Sequence, residues 1–172
     1  MLCKVFGVHL EVRDMRLLVL LIALLVSVAP VLAQPQIHLG PVIVSITSGQ
    51  QSVVLRCDER GLVGLKEGQR WRLIGQLDSS GTLSTSQGVP NLALGEEGGF
   101  ESGGDFTPLK LDDQAMVSMN DVEVFQVQGS NFRQIMPAEQ AIGRALSSVR
   151  IEGAPGTDQL AAYLIVTYLL LL

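Results

Sequence analysis

A leucine-rich stretch near the start of the chain constrains this protein more than any other feature. Residues 15 to 33, MRLLVLLIALLVSVAPVLA, begin with Met15 and Arg16, continue as an uncharged apolar run of about a dozen residues, and end at Ala33. A positive start, an apolar segment and small residues at the end are typical of a secretory signal peptide. The apolar run is too short to cross roughly 30 Å of bilayer hydrocarbon. We predict cleavage after Ala33, with an uncleaved N-terminal membrane anchor as the alternative.

The 14 residues before Met15 do not fit this pattern, because a leader ordinarily begins near its own methionine. We therefore predict that Met15 is the true start and that residues 1 to 14 are an over-called start or an extended n-region. Residues 34 to 172 then form one mature domain, long enough to bury a single core. The predicted location is the periplasm, the cell envelope or the extracellular space.

The charge of the predicted mature chain is acidic. Removing residues 1 to 33 takes three basic and two acidic residues from the 12 and 17 of the whole chain, which leaves a net charge of −6. No basic stripe interrupts this balance. A domain of this kind is poorly suited to binding nucleic acid or anionic lipid through bulk charge.

Cysteine and histidine are too scarce for most catalytic and metal sites. Cys3 precedes the leader, so Cys57 is alone in the mature chain and cannot form a disulfide within it. We interpret Cys57 as a core residue, with an intermolecular disulfide and a catalytic thiol as alternatives. His38 is the single mature histidine, which disfavours hydrolase triads and histidine-rich zinc sites. We predict no enzyme activity, no catalytic residue, no metal site and no cofactor.

The first half of the mature chain carries strand patterns. Residues 42 to 57 form a predicted β-hairpin around a turn at 48 to 51, and residues 69 to 77 form a half-buried strand. Within that strand, Trp71, Leu73 and Leu77 fall on one face at a period of two. We interpret Trp71 as a core anchor, with an exposed binding aromatic as the alternative.

Residues 78 to 113 differ because they are rich in glycine and acidic residues. A structureless loop of this length is usually functional or disordered, although short strands are expected within it at 82 to 85 and 106 to 111. A solvated acidic loop is the main interpretation. A calcium site is an alternative, although the spacing matches no calcium-binding loop. A hydrolase using loop carboxylates such as Glu96 and Asp105 is another.

The second half contains one predicted helix. Residues 115 to 127 alternate as a strand, and Pro137 then fits the first position of a helix. Small and apolar residues from Ala138 to Val149 recur at helical spacing, and Gly153 ends the pattern. The predicted fold is therefore mainly β, an antiparallel sandwich or partly open barrel, with one amphipathic helix in the C-terminal half packed on the sheet. A partner-binding helix is the alternative role for this segment.

The chain ends in thirteen uncharged residues, 160 to 172, LAAYLIVTYLLLL. We interpret this tail as a buried final strand because it is rich in good β formers. Membrane association through residues 160 to 172 is one alternative, although the run is shorter than a spanning helix needs. A cleaved lipid-anchor signal and a strand donated to a neighbouring subunit are the others.

These patterns favour an exported, non-enzymatic β-rich domain that binds or assembles with other macromolecules at the cell envelope or outside the cell. The expected partner is a protein or a second copy of the chain, reached through strand pairing or an apolar edge. The candidate interaction residues are Trp71, Tyr163 and Tyr168. A secreted module that binds a small ligand or a divalent ion is the alternative function.

Overall fold

A computed structural model describes residues 36–86, 88–136, 146 and 148–171, and within them the chain forms one long antiparallel sheet. Each strand from β1 to β10 pairs with the next along the chain, and β12 returns to pair with β1. The strands are β1 Val42–Ser48, β2 Gln51–Cys57, β3 Leu62–Glu67, β4 Arg70–Leu77, β5 Leu83–Thr85, β6 Leu92–Leu94, β7 Gly99–Ser102, β8 Asp105–Leu111, β9 Met116–Met119, β10 Val122–Gln128, β11 Asn131–Gln134 and β12 Ser148–Gly153.

The sheet curves into a nearly closed barrel. β11 and β12 stand at opposite ends of the strand order, yet they contact each other in space. The predicted fold class is confirmed: the domain is mainly β, antiparallel and barrel-like, with one helix from the C-terminal half packed on the sheet. The helix, however, is not the segment that the sequence pattern indicates.

That helix, α1, spans Asp158–Leu171, so the interpretation of the tail as a final strand is wrong. Thr157 precedes it, and the Thr157 carbonyl accepts the first helical hydrogen bond, from the Ala161 amide. The acidic Asp158 lies in the first turn, where the helix dipole favours negative charge. Further along, the Thr167 hydroxyl donates to the Tyr163 carbonyl at 2.9 Å, which gives a buried hydroxyl its partner.

α1 lies inside the curve of the sheet. It contacts β1 and β12 on one side and β8, β9 and β10 on the other. All ten residues from 160 to 169 are buried, as expected for a helix that is apolar on every face. A helix is the form that suits this place, because it satisfies its own backbone donors and acceptors. A strand there would need a sheet edge, and β1 already pairs on both sides.

The predicted helix from Pro137 to Val149 lies mostly on residues outside those described. Where the structure describes the end of this segment, it shows a strand: Ser148–Gly153 is β12. Ile151 is buried, whereas Arg150 and Glu152 on either side of it are exposed. The prediction of a helix is therefore wrong at this end, because Ser148 and Val149 belong to strand β12.

The interpretation of residues 78 to 113 as a structureless loop is also wrong. Four strands, β5 to β8, cross this segment, and they include the two short strands expected at 82 to 85 and 106 to 111. Five of its seven glycines have positive φ, the left-handed backbone that favours glycine. Gly103 and Gly104, for example, both have positive φ and join β7 to β8 as a two-residue hairpin.

One kind of turn recurs four times between the strands. The turns begin at Asp58, Asp78, Gly95 and Asp112. In each, the amide of the fourth residue donates to the carbonyl of the first, and the fourth residue has positive φ. The carbonyl of that fourth residue then accepts a second hydrogen bond, from the amide of the residue just before the next turn. In the first case, the Leu77 amide donates to the Gly61 carbonyl at 2.8 Å. This tandem arrangement fixes the register of the hairpins.

The acidic side chains at these turns serve the backbone. The Asp78 Oδ1 atom accepts hydrogen bonds from the amides of Ser80 and Thr82 and from the Ser80 hydroxyl. Burial alone raises the pKa of Asp78, but these hydrogen bonds to the carboxylate outweigh it and hold the pKa below its ordinary value. Asp58 and Asp112 accept two backbone amides each in the same way.

Candidate functional site

Trp71 lies on the outer face of the sheet, so its interpretation as a core anchor is wrong. The cause is a bulge in β4: Val63 pairs with Gly75, but the next residue, Gly64, pairs with Leu73. The extra residue reverses the alternation between Leu73 and Leu77. Leu77 is fully buried, whereas Leu73 is 55% exposed and shares the outer face with Trp71.

A row of outward positions crosses four neighbouring strands at this point. Ile43 of β1 pairs with Arg56 of β2, Arg56 pairs with Gly64 of β3, and Gly64 pairs with Leu73 of β4. Ile43 is 36% exposed, and with Leu73 it places two large apolar side chains in solvent. We call Ile43, Arg56, Trp71 and Leu73 the Trp71 patch.

Arg56 organises the centre of this patch. Its guanidinium carbon lies 4.3 Å from the centroid of the Trp71 ring, a cation–π contact. Both side chains lie close to Gly64, which has no side chain of its own. A Cβ atom there would stand 3.3 Å from the Arg56 Nε atom and 3.5 Å from the Trp71 ring. The result is a flat surface that combines a cation, an indole ring and two aliphatic groups.

A second exposed apolar group of opposite electrostatic character lies on β8. The Phe106 side chain is 85% exposed, the highest value among the large hydrophobic residues that the structure describes. Glu101 of β7 pairs directly with Phe106, so the two side chains share one face of the sheet. We call Glu101 and Phe106 the Phe106 site. The glycine-rich segment therefore carries an exposed aromatic side chain, although its acidic residues were the more evident signal.

A cavity of about 300 Å³ opens near the C-terminal end of α1. Its walls come from β2, β3 and β4, from the segment after β5 and from the helix, and most of them are apolar. The residues that line it are Val53, Leu55, Leu65, Arg72, Ile74, Gly88, Val89, Pro90, Tyr168 and Leu171. The volume is at the lower end of the range for small-molecule sites, and the few polar groups among apolar walls are typical of them.

The two tyrosines predicted as interaction residues have different surroundings. Tyr163 is fully buried, and its hydroxyl donates toward the carbonyls of Gly81 at 3.0 Å and Leu92 at 3.3 Å. Its ring packs against Phe100 at 5.4 Å between centroids, and burial raises its pKa above the ordinary value. Tyr163 is thus a structural link between the helix and the sheet. Tyr168 lines the cavity, where a ligand can reach it.

Cys57 lies in the core, as the main interpretation of the sequence has it. The residue is 3% exposed, and desolvation by burial, followed by the nearby Asp58 carboxylate, raises the pKa of its thiol to about 12. A thiol that stays protonated near neutral pH is a poor nucleophile. This environment disfavours both alternatives, the catalytic thiol and the intermolecular disulfide.

The structure does not bring the two carboxylates of the hydrolase alternative together. Glu96 lies in the turn before β7 and Asp105 follows the turn after it, so on the order of 13 Å of strand separates them. Among the described residues, no group of three or more histidine, cysteine, aspartate or glutamate side chains is placed to hold a metal ion.

Comparisons with known proteins give no relatives: no family model, curated protein or solved structure matches this chain. No helix within residues 36–86, 88–136 and 148–171 has both the length and the hydropathy that crossing a membrane requires.

Proposed function

We propose that this protein is an exported, non-enzymatic domain that assembles through its outer surface, by contact between the Phe106 site of one copy and the Trp71 patch of another. The observation that carries the proposal is the presence of two exposed apolar sites of opposite charge on one chain. Arg56 gives the patch its cation, and Glu101 gives the Phe106 site its carboxylate.

The composition of the two sites suits a protein interface. Tryptophan, arginine and phenylalanine are enriched at interface centres, and tryptophan and arginine are frequent where truncation costs most. In the proposed contact, the Phe106 ring would cover Leu73 and Ile43, and Glu101 would approach the Arg56 guanidinium. The two sites lie on different parts of the sheet, because β8 is four strands from β4 in the strand order. The contact must therefore join two copies.

This assignment moves the predicted contact away from the C-terminus. The tail is buried as α1, so it is not available for strand pairing with a partner. The proposed contact surface is the outer face of the sheet instead of the C-terminal tail. Export and a location at the cell envelope or outside the cell belong to the same proposal, and the leader-like residues 15 to 33 support them.

The test uses complementary variants. A contact between two different sites is heterologous, so wild-type protein should form oligomers whose mean mass rises with concentration, unless a ring closes. Phe106→Ser removes one site, and the double variant Arg56→Glu with Leu73→Ser removes the other. Each variant alone should sediment as a monomer. An equimolar mixture of the two should form a 1:1 dimer, because one intact pair of sites remains.

Ile135→Ser is the matched control, since Ile135 is 40% exposed and belongs to neither site. It should associate like the wild type. A wild-type protein that stays monomeric at high concentration would refute the proposal. So would a mixture of the two variants that remains monomeric while the wild type associates.

A further inference from the structure

The cavity at the end of α1 has apolar walls and two polar side chains, Arg72 and Tyr168, that keep hydrogen-bond donors free. Tyr168 is 6% exposed, yet its hydroxyl has no hydrogen-bond partner among the residues that the structure describes. None of the fully enclosed side-chain polar atoms in the described residues lacks a partner, so the unpaired Tyr168 hydroxyl is not fully enclosed. It therefore has access to the cavity that Tyr168 lines, where it can donate to a ligand.

Arg72 supplies the charge at this cavity. Arg72 lines the cavity, and its side chain is 47% exposed to solvent, so the guanidinium lies at the cavity opening. Its Nε–H donates to Glu67 at 2.6 Å. This ion pair does not use the two terminal nitrogens, and a guanidinium has enough donors to hold a second carboxylate. Leu55, Ile74 and Leu171 add aliphatic walls to the same cavity.

We propose that this cavity binds a medium-chain carboxylate, with its hydrocarbon chain against Leu55, Ile74 and Leu171 and its carboxylate at Arg72 and the Tyr168 hydroxyl. The size follows from the volume. A methylene group takes roughly the 30 Å³ that a water molecule occupies in the liquid, so about 300 Å³ holds about ten heavy atoms. Octanoate has that number. This site opens on the opposite face of β4 from the Trp71 patch, because Arg72 alternates with Trp71 and Leu73 along the strand. Its test measures binding of a small molecule and does not require the proposed assembly.

The experiment is calorimetric titration of the full-length protein with octanoate and with octanol, which has the same chain and no charge. Octanoate should bind more tightly than octanol. Arg72→Gln should weaken octanoate binding by about tenfold or more and leave octanol binding unchanged, because only the charged hydrogen bonds are lost. Glu67→Gln should strengthen octanoate binding, since it removes a competing carboxylate. Arg70→Gln, on the same strand but outside the cavity lining, is the matched control and should bind like the wild type.

Val89→Trp tests the cavity itself. The larger side chain fills the space, so both compounds should lose binding while the circular dichroism spectrum stays that of a folded β protein. Absence of octanoate binding to wild-type protein would overturn the proposal, and so would equal weakening by Arg72→Gln and Arg70→Gln. Octanol binding as tight as octanoate would overturn the assignment of the carboxylate to Arg72.

Discussion

The substitution Leu164→Ala tests whether the tail is the interior helix of the domain. Leu164 is in the middle of α1 and is 0% exposed, so its removal leaves a cavity surrounded by packed strands. Leucine-to-alanine changes in cores cost about 2 to 5 kcal/mol. The hydrogen-bonded sheet around the helix limits collapse into the space, so we expect about 3 to 5 kcal/mol. With a urea m value of about 2 kcal/mol per M, the midpoint should fall by about 1.5 to 2.5 M.

The control is Leu73→Ala, which removes the same atoms from a side chain that is 55% exposed. Its cost should stay within about 0.5 kcal/mol. Urea unfolding of both variants, followed by far-ultraviolet circular dichroism, measures the difference. If the tail served as a membrane-associated segment outside the domain, Leu164→Ala would leave the unfolding midpoint of the domain unchanged. Equal effects of the two substitutions would refute the placement of α1 within the sheet.

Four further predictions concern Tyr163, Gly61, Cys57 and Asp78. Tyr163→Phe should lower the free energy of unfolding by about 1 to 3 kcal/mol in urea titrations, because two buried carbonyls lose their hydroxyl donor. Gly61→Ala should lower the free energy of unfolding clearly more than Gly49→Ala in the same titrations. Both glycines have positive φ, but a Cβ atom at Gly61 would lie 1.9 Å from a backbone oxygen, whereas one at Gly49 has no atom within 4 Å. The Cys57 thiol, with its pKa raised to about 12, should react with a thiol reagent at pH 8 only after unfolding. Asp78 has a folded-state pKa below its unfolded value, so its contribution is present above about pH 4 and is lost as the pH falls through the folded pKa. Relative to Asp78→Asn, the wild type should therefore lose stability in acid denaturation followed by circular dichroism.

The parts of the fold that depend on local pattern could be predicted from the sequence. The hairpin of β1 and β2, with its turn at 48 to 51, and the strand β4 agree with the structure, because alternation and turn residues are encoded within a few positions. The repeated turn was not predicted from the sequence. The turns at Asp58 and Asp78 share an Asp-x-x-Gly pattern, but the turn at Gly95 begins with glycine and the turn at Asp112 ends at Ala115.

The tail could not be assigned from its own residues. Ile165, Val166 and Thr167 favour a strand by intrinsic preference, and that preference spans only about 1 kcal/mol per residue. The deciding factor is non-local: the sheet already pairs its strands with one another, and the remaining interior needs a segment that satisfies its own hydrogen bonds. A short apolar run does not contain this information.

The candidate sites were partly hidden for a similar reason. Trp71 was evident as the single tryptophan, but its face depends on a bulge that a strict period of two does not reveal. Leu73 and Phe106 become contact candidates only when their exposure is known. Arg72 and Tyr168 are far apart in the sequence, and they line one cavity because β4 and the end of α1 meet there.

The position of α1 separates the two proposed kinds of binding. Residues 160 to 169 fill the interior with buried side chains, and Tyr163 closes the middle of it by hydrogen bonds to the sheet. The proposed small ligand would therefore occupy the space beside Tyr168 and Leu171, where the helix ends. In the proposed assembly, a second copy of the chain would contact the outer face, where the Trp71 patch and the Phe106 site lie. Filling the cavity should for that reason leave assembly intact, and the complementary variants of the outer face should still bind octanoate.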